Sequence, residues 1–137
     1  MRPVIQLETS GCGIAACAAL AEMDYETTRE KAAALGIYAH DRTLWSDTRH
    51  VRALLNTLNI ATSAHEQPFT GWSELPDRAL LAIKWRRSGG VPFWHWVVFA
   101  RTEHGEVVLD AKAALKNNVR RDFGRMAPKW FITIDPA

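Results

Sequence analysis

The chain changes texture once, near residue 60, and that change limits the folds open to it. Up to about residue 60 it is alanine-rich and reads as helical; beyond, short apolar runs alternate with turn residues. Helices first and an antiparallel sheet after them define an α+β chain. The length of 137 residues suits one domain, 1–137, built on a single core.

Within the first part, Thr9 or Ser10 is placed to cap a helix over about 12–22. Thr27-Thr-Arg-Glu30 has capping-box spacing for a second helix, which Gly36 ends. Ser46-Asp47 starts a third, with Val51, Leu54, Leu55 and Leu58 on one face. In the second part Leu80–Trp85 is a strand that Ser88-Gly-Gly90 breaks. The strand His95–Arg101 is the clearest. After a turn at Thr102–Gly105 the chain returns along Glu106–Asp110, and Trp130–Ile134 supplies a last strand.

The chemistry sits at Cys12. It lies between two glycines, Gly11 and Gly13, at the start of the first helix, six residues after Gln6. A thiolate there faces unpaired backbone N–H groups and the positive end of the helix dipole, which favours the nucleophilic form. The flanking glycines are expected to allow a sharp turn and close approach of a substrate. The hairpin supplies the partners. If residues 102–105 form its loop, Arg101 faces Glu106 and Val97 faces Asp110. His95 and Asp110 then share a face as diagonal neighbours, about 7–8 Å apart in backbone terms. A slip of one residue would separate them. In the resulting triad Cys12 attacks a carbonyl, His95 moves the proton and Asp110 fixes the ring. Gln6, with the Cys12 N–H, is the candidate oxyanion donor.

Composition narrows the partners. A net charge of +2 gives no argument for nucleic acid or an acidic membrane. The basic stretch Lys84-Trp-Arg-Arg87, near Trp94 and Trp96, resembles a stacking platform for single strands. Its flanks Ala79–Ile83 and Val97–Phe99 read as core strands instead. Six tryptophans fit either a large aromatic core or an aromatic-lined peptide groove. Trp94 and Trp96 flank His95, but strand alternation points them to the opposite face, which favours the core.

Cys12 and Cys17 sit about 140° apart around a helix and cannot bridge; Cys17 reads as a buried small residue. Ile14-Ala-Ala-Cys17 has the look of a lipoprotein box but lacks a long apolar segment before it, and no run reaches the length of a membrane span. The default is a reduced, cytoplasmic protein with no cofactor. His40, His50, His65 and His104 lack metal-ligand spacing, so no metal is expected.

Taken in order and spacing, these motifs resemble the bacteriocin-processing peptidases that remove double-glycine leaders, a family with a papain-like fold. Gln6, five intervening residues, and Cys12-Gly-Ile-Ala-Ala-Cys-Ala-Ala-Leu-Ala21 match its nucleophile motif. His95-Trp-Val-Val98 matches its histidine strand, and Asp110 in Val107-Val-Leu-Asp110 its acid. Leu75-Pro76, Phe123 and Trp130 also sit where the family has similar features. The resemblance spans essentially the whole chain and implies a free-standing papain-like domain. Gly11 stands where the family usually has Asp, and Ala111 follows Asp110 where it usually has Pro. The family's usual membrane span and ATPase are not in this sequence.

The leading expectation is a cysteine peptidase or amide hydrolase acting on a peptide or protein: a leader peptide, a host protein if the chain is an effector, or a cell-wall or other amide. Acyl transfer of transglutaminase type on the same triad is one alternative. A non-catalytic peptide-binding module is another, though the joint presence of Cys12, His95 and Asp110 argues against it. Nothing in the sequence identifies an inhibitor or immunity partner.

Overall fold

The computed structural model describes residues 1–41 and 45–135. Three helices precede a sheet: α1 (Cys12–Ala21), α2 (Tyr25–Ala34) and α3 (Arg49–Thr57). The strands are β1 (Gln67–Pro68), β2 (Arg78–Ser88), β3 (Val91–Thr102), β4 (Gly105–Leu109), β5 (Val119–Arg120) and β6 (Trp130–Thr133). All six join one antiparallel sheet in the order β1-β6-β2-β3-β4-β5. The expected α+β class is therefore what the chain adopts. Among the described residues, no helix is long and apolar enough to cross a membrane.

Helix α1 is the centre of the helical layer. Gly13 through Leu20 are all buried, because α1 packs on β3 beneath it and against α2 and α3 at its sides. A helix surrounded in this way must be apolar all round and small where backbones approach, which accounts for its alanines. Cys17 is fully buried in it. Strand alternation then sorts the sheet into two faces. Leu80, Ala82, Trp96, Val98, Ala100 and Ile132 pack towards the helices. Leu81, Ile83, Val97, Phe99 and Phe131 form a second cluster, closed by Phe69, Trp72 and Phe123.

The helix starts differ from the sequence expectation. Neither Thr9 nor Ser10 caps α1; Gly11 occupies the N-cap and gives no side-chain hydrogen bond. In α2 the cap is Asp24, whose Oδ1 accepts the Thr27 N–H at 2.7 Å, so Thr27 lies inside the first turn. A carboxylate offset by three residues outcompetes the later Thr-Thr pair because it also meets the helix dipole. Gly36 does follow the end of α2, at φ 77°. Helix α3 begins at Arg49, and Asp47 Oδ1 accepts the Arg49 N–H at 2.9 Å. Its Val51, Leu54 and Leu55 are buried as expected.

Strands β2 and β3 are longer than their apolar runs. Gly89 and Gly90, at φ 59° and 79°, make a two-residue turn between Ser88 and Val91. Successive positive φ values of this kind suit the right-handed twist of a hairpin, so the glycines join the strands rather than break one. The β2–β3 register shifts between Ile83 and Arg86, a bulge in which Lys84 adopts φ 54°. The β3–β4 hairpin pairs Arg101 with Glu106 and Thr102 with Gly105, in the register the sequence predicts.

Candidate active site

Three elements deliver the three side chains. Cys12 is the first residue of α1, His95 lies in β3 and Asp110 follows the last residue of β4. Because the hairpin register holds, His95 and Asp110 meet: Nε2 of the ring is 2.7 Å from Asp110 Oδ1. A carboxylate accepts only, so Nε2 carries the proton and donates it, which leaves Nδ1 for another partner. Cys12 lines the same cleft as the ring and is among the groups that raise it.

Asp110 is fully buried and thoroughly satisfied. Its Oδ1 also accepts the Lys112 N–H at 3.0 Å, and its Oδ2 accepts Arg120 Nη1 at 2.9 Å. Arg120 is itself clamped by Asp122, with Nε on Oδ1 at 2.9 Å and Nη2 on Oδ2 at 2.7 Å. Asn118 Nδ2 donates to the Asp110 carbonyl at 2.7 Å and to the Lys112 carbonyl at 2.9 Å, closing the segment after β4. Burial alone would raise the Asp110 carboxyl; the hydrogen bond and charge of His95, the Lys112 N–H and Arg120 outweigh it and hold it at about 2. Burial would likewise depress the His95 imidazolium, yet the Asp110 and Cys12 contacts raise it to about 9. The ring is thus positioned and charged by its neighbours while 16% of its side chain stays open to the cleft.

The glycines beside Cys12 make room rather than a sharp turn. A Cβ on Gly11 would stand 3.1 Å from both Glu8 O and Tyr25 Cζ, and closer still to the Tyr25 hydroxyl. That hydroxyl donates to Glu8 Oε1 at 2.7 Å, bracing the approach to α1. A Cβ on Gly13 would stand 2.7 Å from Trp45 Cε3, inside the space of the indole. Trp45 is held by its Nε1, which donates to the Tyr38 carbonyl at 3.1 Å. Since Gly11 has no side chain to cap α1, no cap occupies the N–H groups of its first turn.

Gln6 is engaged elsewhere in the same wall. Its Nε2 donates to the carbonyls of Glu8 at 3.0 Å and Thr9 at 2.9 Å, while Oε1 is buried with no partner among the described residues. Its main-chain N–H donates to the Ala111 carbonyl at 3.0 Å, tying the N-terminal segment beside Asp110. The oxyanion role expected of Gln6 is therefore not set up in this geometry, because both amide protons are already donated.

A cleft runs past His95 on both sides. One half, about 390 Å³, is lined by Thr9, Ser10, Cys12, Trp45, Arg86, Phe93, Trp94 and His95. The other, about 470 Å³, is lined by residues 6–9, Lys84, Arg86, His95 and residues 112–114. Trp96 is a core residue, as strand alternation implies. Trp94 packs against the same core, edge-on to Trp96 and Trp130, and also borders the Cys12 side of the cleft. It sits opposite the β2 bulge and shares the face of Trp96.

Sequence reasoning missed Arg120, Asn118, Trp45 and Tyr25. Arg120 carried one visible signal, the Arg120-x-Asp122 spacing that forms its clamp; nothing local marked its bond to Asp110. Among the described residues no three His, Cys, Asp or Glu side chains are placed to hold a metal ion. Compared with known proteins, the chain matches no family model, and no curated protein matches it.

Proposed function

We propose that this chain is a thiol-dependent amide hydrolase. More particularly, we propose a cysteine peptidase with a papain-like arrangement, in which a cysteine at a helix N-terminus faces a histidine on an antiparallel sheet. One observation carries the reading. The His95 ring is bound to a buried Asp110 and shares an open cleft with Cys12 at the unblocked start of α1.

The chemistry follows from those positions. Cys12 Sγ attacks the scissile carbonyl carbon as thiolate, and the oxygen takes the negative charge. The first-turn N–H groups of α1, that of Cys12 foremost, point at this oxyanion. Gln6 adds a donor only by releasing the Glu8 or Thr9 carbonyl. His95 Nδ1–H passes its proton to the departing nitrogen as the C–N bond breaks, leaving a thioester on Cys12. Neutral His95 then takes a proton from water, whose oxygen attacks the thioester; the acid leaves and the thiolate–imidazolium pair is restored. Asp110 keeps the ring in the tautomer both steps require.

The test is trapping and turnover together. Incubation with a peptidyl chloromethyl ketone is expected to leave one adduct on Cys12 and none on buried Cys17, and a mixed peptide library to be cleaved. Cys12→Ser abolishes both. Labelling of Cys17 in preference, or cleavage that survives Cys12→Ser, refutes the proposal.

A further inference from the structure

The two halves of the cleft differ in chemistry, although Arg86 lines both. The half containing Cys12 adds the rings of Trp45, Phe93 and Trp94. The half beyond His95 presents Lys84, Arg86 and Lys112. All three cations are exposed, and none has a carboxylate partner among the described residues. Elsewhere Arg29, Arg52, Arg101 and Arg120 each pair with acidic side chains. The only carboxylate among the described residues of that wall, Glu8, is turned to the Tyr25 hydroxyl at 2.7 Å and to Arg29 at 3.5 Å.

Lys84 and Arg86 line the cleft at the β2 bulge, while Trp85 and Arg87 line another groove with Lys129. Lys84 takes φ 54° there, a conformation disfavoured for a residue with a Cβ. Such strain is retained where the surroundings impose it, commonly at functional sites.

Resting on the hydrolase reading, we infer that the protein takes a peptide with an aromatic or large apolar residue on the acyl side of the scissile bond and a carboxylate on the leaving-group side. The acyl part becomes attached to Cys12, so it occupies the half that Cys12 lines. The departing amine receives its proton from His95 and occupies the half that His95 lines and Cys12 does not. The carboxylate there meets Lys84, Arg86 and Lys112. An acidic side chain and a free peptide C-terminus both offer that group.

Binding to Cys12→Ala protein tests this without turnover, so a chain that binds but does not cleave is distinguished from one that does neither. The probe is a labelled peptide, followed by anisotropy, with Phe before the central bond and Glu-Glu after it, its C-terminus amidated. Three exposed ion pairs, each modest alone, predict roughly tenfold tighter binding than the Gln-Gln peptide. A Gln-Gln peptide with a free C-terminus reveals whether a terminal carboxylate substitutes. In Lys84→Gln/Arg86→Gln/Lys112→Gln the ratio is expected to fall to about one, and high salt to compress it. Equal affinities, no binding of either peptide, a ratio that survives the triple variant, or tighter binding of an oligothymidylate would each overturn the inference; the last would assign the cations to nucleic acid. Cleavage by the wild-type protein, measured in parallel, reports on the hydrolase reading separately.

Discussion

Asp110→Asn is the substitution whose outcome the structure specifies most closely. The carboxylate uses both oxygens: Oδ1 accepts from His95 and Lys112, and Oδ2 from Arg120. Asparagine has a single oxygen. If that oxygen faces His95 and Lys112, the amide NH₂ opposes Arg120; if it faces Arg120, the NH₂ opposes the other two donors. Either choice leaves a buried donor unpaired, at a cost of about 1–3 kcal/mol. A domain of this size has roughly 5–15 kcal/mol in hand and still folds. The effect on His95 is larger than the effect on stability. Burial, the strongest influence on the ring, persists, while the hydrogen bond and charge of Asp110 are lost. The imidazolium should fall below about 9, with only the Cys12 contribution left to raise it. Ring NMR across pH follows this directly, and peptide cleavage should drop ~10²–10⁴-fold. A His95 that still titrates near 9 in the variant, or unchanged cleavage, refutes the coupling described above.

Other consequences are as definite. Gly13→Ala drives a methyl into the Trp45 ring and should cost about 1–3 kcal/mol, with a shift in tryptophan emission and a lower urea midpoint. Arg120→Met removes a charge-assisted bond to Asp110 and should cost about 1.5–3 kcal/mol and slow Cys12 alkylation, with partial recovery in Arg120→Lys. Stability should also depend on pH with a defined sign. His95 is raised from 6.5 to about 9, so its contribution is complete below pH 6.5 and is lost as pH rises through 9. Asp110 is lowered from 3.8 to about 2, so its contribution is present above pH 3.8 and lost as pH falls through 2. Urea midpoints should be highest between about pH 3.8 and 6.5; a maximum above pH 9 would contradict the His95 assignment, and one below pH 2 the Asp110 assignment.

What the sequence disclosed, and what it did not, divides along physical lines. The meeting of His95 and Asp110 was legible because a hairpin's period of two carries register from the turn outward, and the Arg101–Glu106 pairing held. Helix positions were legible from spacing, but their caps were not. Asp24 prevails over Thr27 through a local contest between side chains that spacing does not rank. Gly11 and Gly13 were recognisable as important and misassigned as to cause: the rings they admit, Tyr25 and Trp45, come from distant segments. Trp94 takes the core face that alternation gives it beside Trp96, and its place at the rim of the cleft depends on α1 and Trp45 from distant segments. Gln6 was placed beside the site, but its amide is bound by the turn it precedes. Arg120 holds Asp110 from an edge strand joined by a loop, a contact that only tertiary structure creates.

The central claim is that Cys12 is a nucleophile activated by His95, and alkylation measures it most directly. The rate of iodoacetamide modification at Cys12, resolved from Cys17 by mass spectrometry, is followed from pH 5 to 10 in wild type and in His95→Ala. Expected is modification of Cys12 much faster than that of a free thiol at neutral pH, lost in the variant, with Cys17 inert in both. A Cys12 that reacts only as fast as a free thiol, or a profile that His95→Ala leaves unchanged, would contradict it.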